Sequence, residues 1–435
     1  MKASSEKELK GWWERHLPLG EPLVSAQGVP FQVLHRGRPN GAGGPDYLDA
    51  VLRLEGGDLL RGAVEIHRHA GDWWHHGHQH DARYLGVVLH GVGDPSGRQL
   101  LLANGRVPLT LDLPSLLDKE VDRGHNELCF GVWGRWGEER CLHVLNEQGD
   151  QRFREKAQTF ALALRRTDRD QVLYEGLLVG LGYSRNQAPF RQLAQRLPLT
   201  ALGRYAQAQG PGEWETVLET LFLGSAGLLQ PPHPATGEQT EARRETESRA
   251  WWRARGGGPL VEGASWRFDG VRPGNLPPQR LKAAARLVAQ WGTSGWVDWA
   301  CQVLKDGPLE KGPLRLMADL QCASKTLGRG TAAVLVVNVV LPLLQANGER
   351  RRPPETSAQA DWPQEAYRHC PQLPANAITH LMEARLRGGD ARPPGGLACN
   401  ARQHQGLIRL YKAFCAQGCG PGCPLGDGHG WGKDQ

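Results

Sequence analysis

The sequence predicts an α/β domain at the N-terminus followed by a mostly α-helical region. Three observations lead there. Short alternating apolar segments bounded by glycine turns crowd the first part of the chain, long segments of helical periodicity replace them from about residue 150, and 435 residues exceed what one core of roughly 250–300 residues accommodates.

The elements follow in order. Residues 6–17 (EKELKGWWERHL) place Leu9, Trp12, Trp13 and Leu17 near helical spacing, which predicts a short amphipathic helix. An apolar run Phe31–Leu34 and a glycine-rich turn Gly37–Gly44 come next. Strand-like patterns then occupy Tyr47–Leu54, Arg61–His67 after the Gly56-Gly57 turn, and Leu85–Val92. This predicts a sheet domain over 1–115. A helical domain over 116–345 rests on phrases such as FREKAQTFALALRR and VLYEGLLVGLGY, on Leu276–Trp299, and on the apolar Thr331–Leu344, read as a buried helix too short for the ~20 residues a bilayer needs. The polar, proline-bearing residues 231–248 predict an exposed loop, and Asn347–Asp361 a second loop ahead of a helical C-terminal segment within 346–435.

Composition narrows the class. Hydrophobic residues make up 40% and charged residues 23%, and neither a membrane-spanning run nor a secretory leader is visible. Nine cysteines are too few for a disulfide framework, so a reducing compartment, the cytoplasm, is expected. The net charge of +6 permits a nucleic-acid partner without requiring one. The run Arg152, Arg154, Lys156, Arg165, Arg166 and Arg169 suits phosphates, though a solvated helix face is the simpler reading. Protein partners are left open, and no membrane partner is expected.

Two clusters carry chemistry. Asp46 opens one predicted strand, and Glu65 and His67 stand on the next, where period-two alternation puts both on one face. Asp46 and Glu65 can then share a Mg²⁺ or Mn²⁺ ion, with His67 as base or ligand. His67, His69, His75, His76, His78, His80 and His90 fall within 24 residues, and the H-G-H spacing of His76 and His78 suits two imidazoles on one cation. His76, His78 and His90 are therefore accessory candidates. At the other end Cys415, Cys419 and Cys423 sit among glycines at C-x3-C-x3-C spacing, which predicts a Zn²⁺ or 4Fe-4S centre with Cys399 as fourth ligand and Cys370 or His404 behind it.

The phrases GGPDY, GAVEIH, DWWHHGH, VVLHGV, LGYSRNQAPF, LFLGSAG, VRPGNLPPQRL and QGLIRLYKAFC, in that order, resemble the bacterial family catalogued as domain of unknown function twenty-eight fifty-one. That family name implies no activity. Separately, helix, strand, PD-strand and ExX-strand resemble the core of the PD-(D/E)XK nuclease superfamily, a mixed sheet with flanking helices. This second resemblance implies metal-assisted phosphodiester hydrolysis in DNA or RNA with Asp46 and Glu65 on the metal. His67 stands where that pattern has lysine, which leaves an altered or inactive nuclease open. Some nucleases of that superfamily pin the chain end with a four-iron cluster, to which the C-terminal cysteines are similar, although no cysteine precedes Cys129. Two other readings compete: a cupin-like His/Glu metalloenzyme, and a non-catalytic module that holds nucleic acid on a nuclease-like sheet.

Overall fold

The computed structural model describes residues 5–15, 17–40, 43–98, 100–116, 129, 131–183, 185–207, 214–229, 252, 257–268, 273–350, 361–388, 397–417 and 422–426. The predicted loop 231–248 and Cys419 lie outside the described residues. Two compact units emerge. The first comprises Met1–Gln148, Ala375–Leu397 and Gly406–Gln435, the second Gly149–Pro374 and Ala398–Gln405.

The first unit is built on a mixed seven-stranded sheet. Helix α1 (Glu6–Arg15) precedes β1 (Leu23–Val24), β2 (Pro30–His35), β3 (Arg38–Pro39), β4 (Tyr47–Leu54) and β5 (Leu59–His69). Helix α2 (Asp72–His75), β6 (Val87–Asp94) and β7 (Leu109–Asp112) complete it. The spatial order is β1-β2-β4-β5-β6-β7, with β3 on β4. Pairing is antiparallel as far as β5 and parallel from β5 through β7. A cupin is a double-sheet antiparallel jelly roll, and this is one open sheet with two parallel pairings. Leu9 and Trp13 of α1 pack with Phe31, Val64, Ile66 and Leu89 in the core on one face. The second face holds a smaller core of Ala63, Trp73, Tyr84 and Val87. Strand β5 is thus covered on both sides, which is why residues 63–67 are all buried instead of alternating.

The second unit is helical, around a core that includes Tyr174, Phe222, Trp296 and Val340. Two predicted elements differ here. The expected helix Leu276–Trp299 is two helices, Pro277–Trp291 and Trp296–Lys305, because Gly292 and Gly295 take positive φ (69° and 82°) between them. The expected apolar segment Thr331–Leu344 belongs to a longer helical run, Arg329–Arg350, with a π-helical turn at Val336–Val340. Its 22 residues are long and apolar enough to cross a membrane by length and composition, yet 83% of the apolar window is buried.

The broken helix restarts on a carboxylate. Asp170, 7% exposed, accepts hydrogen bonds from the backbone N–H of Gly295 (2.6 Å) and Val297 (2.8 Å) in the first turn of Trp296–Lys305, the role of a capping side chain supplied from a distant helix. Asp170→Ala is expected to lower stability by about 2–4 kcal/mol, since both N–H groups lose their acceptor inside the core. Denaturant unfolding checks this; a variant as stable as wild type would refute the capping role.

Candidate metal centre

The burial of β5 on both faces decides what its polar residues must do. Alternation sends Val64 and Ile66 into the α1 core and leaves Ala63, Glu65 and His67 on the face covered by the β5–β6 crossover. Glu65 is 5% exposed and His67 1%. The crossover opens with α2, whose Trp73 is fully buried, and His76 follows directly. Gly77 then adopts a left-handed conformation (φ 74°), which only glycine takes without strain, and turns the chain so that His78 begins the next short helix facing the same way. Trp73 and Tyr84 pack around the imidazoles, Tyr84 stacked on His78 with ring centroids 3.9 Å apart.

Three imidazole nitrogens meet there, with a Glu65 oxygen beside two of them. His67 Nε2 lies 3.2 Å from His76 Nδ1 and 3.4 Å from Glu65 Oε1, and His78 Nε2 lies 3.5 Å from the same Glu65 oxygen. One ligand atom from each of His67, His76 and His78 falls within 4.8 Å of the others. Bonds of ~2.0–2.1 Å to a tetrahedral ion put neighbouring ligand atoms about 3.4 Å apart, which is the spacing of these pairs. The chemistry of the donors fits as well. His78 Nε2 is buried with no hydrogen-bond partner, a lone pair that a cation would satisfy. Burial, reinforced by the neighbouring imidazoles, pushes His67 down to about 2 and His78 to about 4, so both rings are neutral at physiological pH. Burial and then the nearby Asp46 push the Glu65 carboxyl up to about 8. Imidazole-rich sites favour Zn²⁺, Mn²⁺ or Fe²⁺ over Mg²⁺, which prefers oxygen.

His90 supports this set from behind. Strand pairing puts it opposite Glu65 on β6, and its Nε2 meets His67 Nδ1 at 2.8 Å, the outer contact that orients a ligating imidazole. His90 is fully buried and held neutral, down to about 3, first by burial.

Asp46 stands beside this group in a different role. Its backbone N–H donates to Glu65 Oε2 (2.9 Å), and its Oδ2 accepts from the backbone N–H of Ile66 (2.9 Å), a reciprocal lock between the start of β4 and β5. Its Oδ1 pairs with Lys10 Nζ at 2.6 Å, and Lys10 also pairs with Glu6 Oε1 at 2.6 Å. Burial lowers the Lys10 pKa, but the two carboxylates outweigh it and hold the ammonium charged. For Asp46, burial outweighs Lys10 and raises the pKa. Lys10 and Glu6 carry no signal in the sequence beyond an i,i+4 pair, which many solvated helices share.

The other candidates fall elsewhere. His69 faces Asp94 at 3.7 Å, and His75 and His80 are exposed. Cys415 and Cys423 are buried, with Cys415 Sγ 3.9 Å from Met382 Sδ, whereas Cys399 is exposed. Cys370 donates to the Ala366 carbonyl and burial pushes its thiol up. His404 Nε2 lies 3.2 Å from the Pro374 carbonyl, and burial pushes the ring down to about 4.

A family model described as "Protein of unknown function (DUF2851)" matches residues 6–302, a span that contains every donor of the histidine cluster. No curated protein and no solved structure matches the chain.

The purified protein is expected to bind one Zn²⁺-class ion at the histidine cluster. His76→Ala and His78→Ala should each weaken binding by more than the roughly 10–100-fold typical of an outer-shell change, and His90→Gln should fall within that outer-shell range. Competition titration against a chromophoric chelator reads this. Equal affinity in wild type and both ligand variants would remove the site.

Proposed function

The chain belongs to the DUF2851 family, and we propose that its sheet domain is a transition-metal hydrolase acting on phosphodiester bonds of DNA or RNA. The observation that carries this reading is the set His67, His76 and His78, whose ligand atoms lie within 4.8 Å of one another, with Glu65 Oε1 at 3.4 and 3.5 Å from His67 and His78 and with Asp46 and its partner Lys10 alongside. A bound cation would polarise a phosphoryl oxygen and lower the pKa of a coordinated water. The protein's own groups supply the rest. In this reading His67 is a ligand, its far nitrogen turned to His90, and the lysine missing from position 67 is replaced in space by Lys10 from α1. Lys10 would provide a fixed positive charge against the negative charge that develops on the phosphoryl oxygens, while Glu6 and Asp46 hold the ammonium in place. Glu65 lies nearest the imidazoles, and Asp46, its carboxylate engaged by Lys10 and the Ile66 N–H, serves to hold Lys10 and Glu65 in place. The cysteines Cys415, Cys419 and Cys423 are proposed as a separate structural centre for Zn²⁺ or a 4Fe-4S cluster, with no part in the cleavage.

Protein loaded with Zn²⁺ or Mn²⁺ should cleave DNA or RNA, and Lys10→Ala should lower the rate about 100-fold while leaving metal content intact. Glu65→Gln and His78→Ala should abolish cleavage in protein that remains folded. Wild type that holds its metal and cuts no form of DNA or RNA, but binds one of them, would replace the enzyme with the nucleic-acid-binding module.

A further inference from the structure

The phrases LGYSRNQAPF and VRPGNLPPQRL belong to neither metal centre, and the second unit brings parts of both together around one buried cation. Arg280 is 4% exposed. Its Nη2 donates to Asn275 Oδ1 and to Thr331 Oγ1 (3.1 Å), both neutral acceptors. Its Nε is buried with no hydrogen-bond partner, and among the described residues no carboxylate pairs with it. A guanidinium has five donors in a planar fork, and at this depth an arginine ordinarily faces a carboxylate, because an uncompensated buried charge is costly. Burial already pulls its pKa below the usual value, with only Tyr183 acting the other way.

The surroundings resemble a prepared cradle. The ring of Tyr183 lies 5.5 Å from the guanidinium carbon, and its hydroxyl meets Thr331 Oγ1 at 2.9 Å. Tyr183 holds φ 50°, a left-handed backbone uncommon for a bulky residue and characteristic of sites that require a particular placement. Asn186 fastens this turn by bonding both backbone groups of Arg267, with its amide N–H on the carbonyl (2.9 Å) and its oxygen on the N–H (2.8 Å). At Gly274, next to Asn275, and at Gly328, one turn before Thr331, an added Cβ would meet nothing within 4 Å.

We propose that Arg280, with Tyr183, Asn275 and Thr331, is a phosphate-binding site. The Nε–H of the guanidinium is unspent, and a tetrahedral phosphate offers oxygens to both the guanidinium edge and the hydroxyl pair. The phosphate belongs either to a free phosphate or nucleotide or to the end of a nucleic-acid strand. The site is independent of the metal centre and stands or falls without it.

Calorimetric titration of the full chain with inorganic phosphate, AMP, and matched 5′-phosphorylated and 5′-hydroxyl oligonucleotides tests this, with acetate as control. Wild type should bind phosphate-bearing ligands and not acetate; preference for the phosphorylated oligonucleotide over AMP assigns the strand end, and the reverse assigns the small molecule. Arg280→Lys, which keeps the charge but not the fork, should weaken binding at least about tenfold, the loss of one charge-assisted hydrogen bond. Thr331→Val should also weaken it, and metal content should be unchanged in both. Wild type that ignores millimolar phosphate, or an Arg280→Lys protein that binds as tightly as wild type, would overturn the site.

Discussion

A carboxylate and an imidazole on the inner face of a strand covered on both sides constrain everything around them. Glu65 and His67 are out of water, and a buried polar group must find partners or a compensating charge. The chain meets that demand with more imidazoles and very little else. His76 and His78 arrive from the crossover, His90 from the next strand, and Asp46 offers Glu65 only its backbone N–H. A core designed for stability alone would place apolar groups here. What remains is a cluster of imidazole nitrogens and one carboxyl oxygen, which a divalent ion would complete.

The same constraint explains the order of the sheet. Strand β5 has to be central and followed by a parallel strand, because the crossover joining parallel strands lies across a sheet face and carries the two added histidines there. On the other side, α1 covers Val64 and Ile66 and at the same time brings Lys10 to Asp46. The histidine cluster and the ammonium therefore come from opposite layers, held in register by the reciprocal bonds of Asp46 with Glu65 and Ile66.

Much of this was legible in the sequence because it is local. The helix at α1, the strands carrying Tyr47–Leu54 and Glu65-Ile66-His67, and the shared face of Glu65 and His67 follow from periodicity. The His76-Gly77-His78 spacing announced two imidazoles, with the glycine supplying the turn. Register and tertiary contact were not legible. His90 becomes the partner of His67 only through the parallel pairing of β5 with β6, and Lys10 reaches Asp46 only once α1 is packed. Likewise Gly292 and Gly295 break a helix whose apolar pattern runs straight through them, since positive φ is a backbone choice that hydrophobic spacing does not record. Arg280 looks in sequence like any helical arginine, and its lack of a carboxylate partner among the described residues is a property of the folded second unit.

The central claim is that Glu65, His67, His76 and His78 hold a metal ion. X-ray absorption spectroscopy of the metal-loaded full chain tests it most directly, because nitrogen and oxygen ligands at ~2.0–2.1 Å separate cleanly from thiolate sulfur at ~2.3 Å. The account predicts a light-atom first shell with the outer scattering of imidazole rings, reduced in His76→Ala protein. A first shell dominated by sulfur and unchanged in that variant would place the only metal at the cysteines and contradict it.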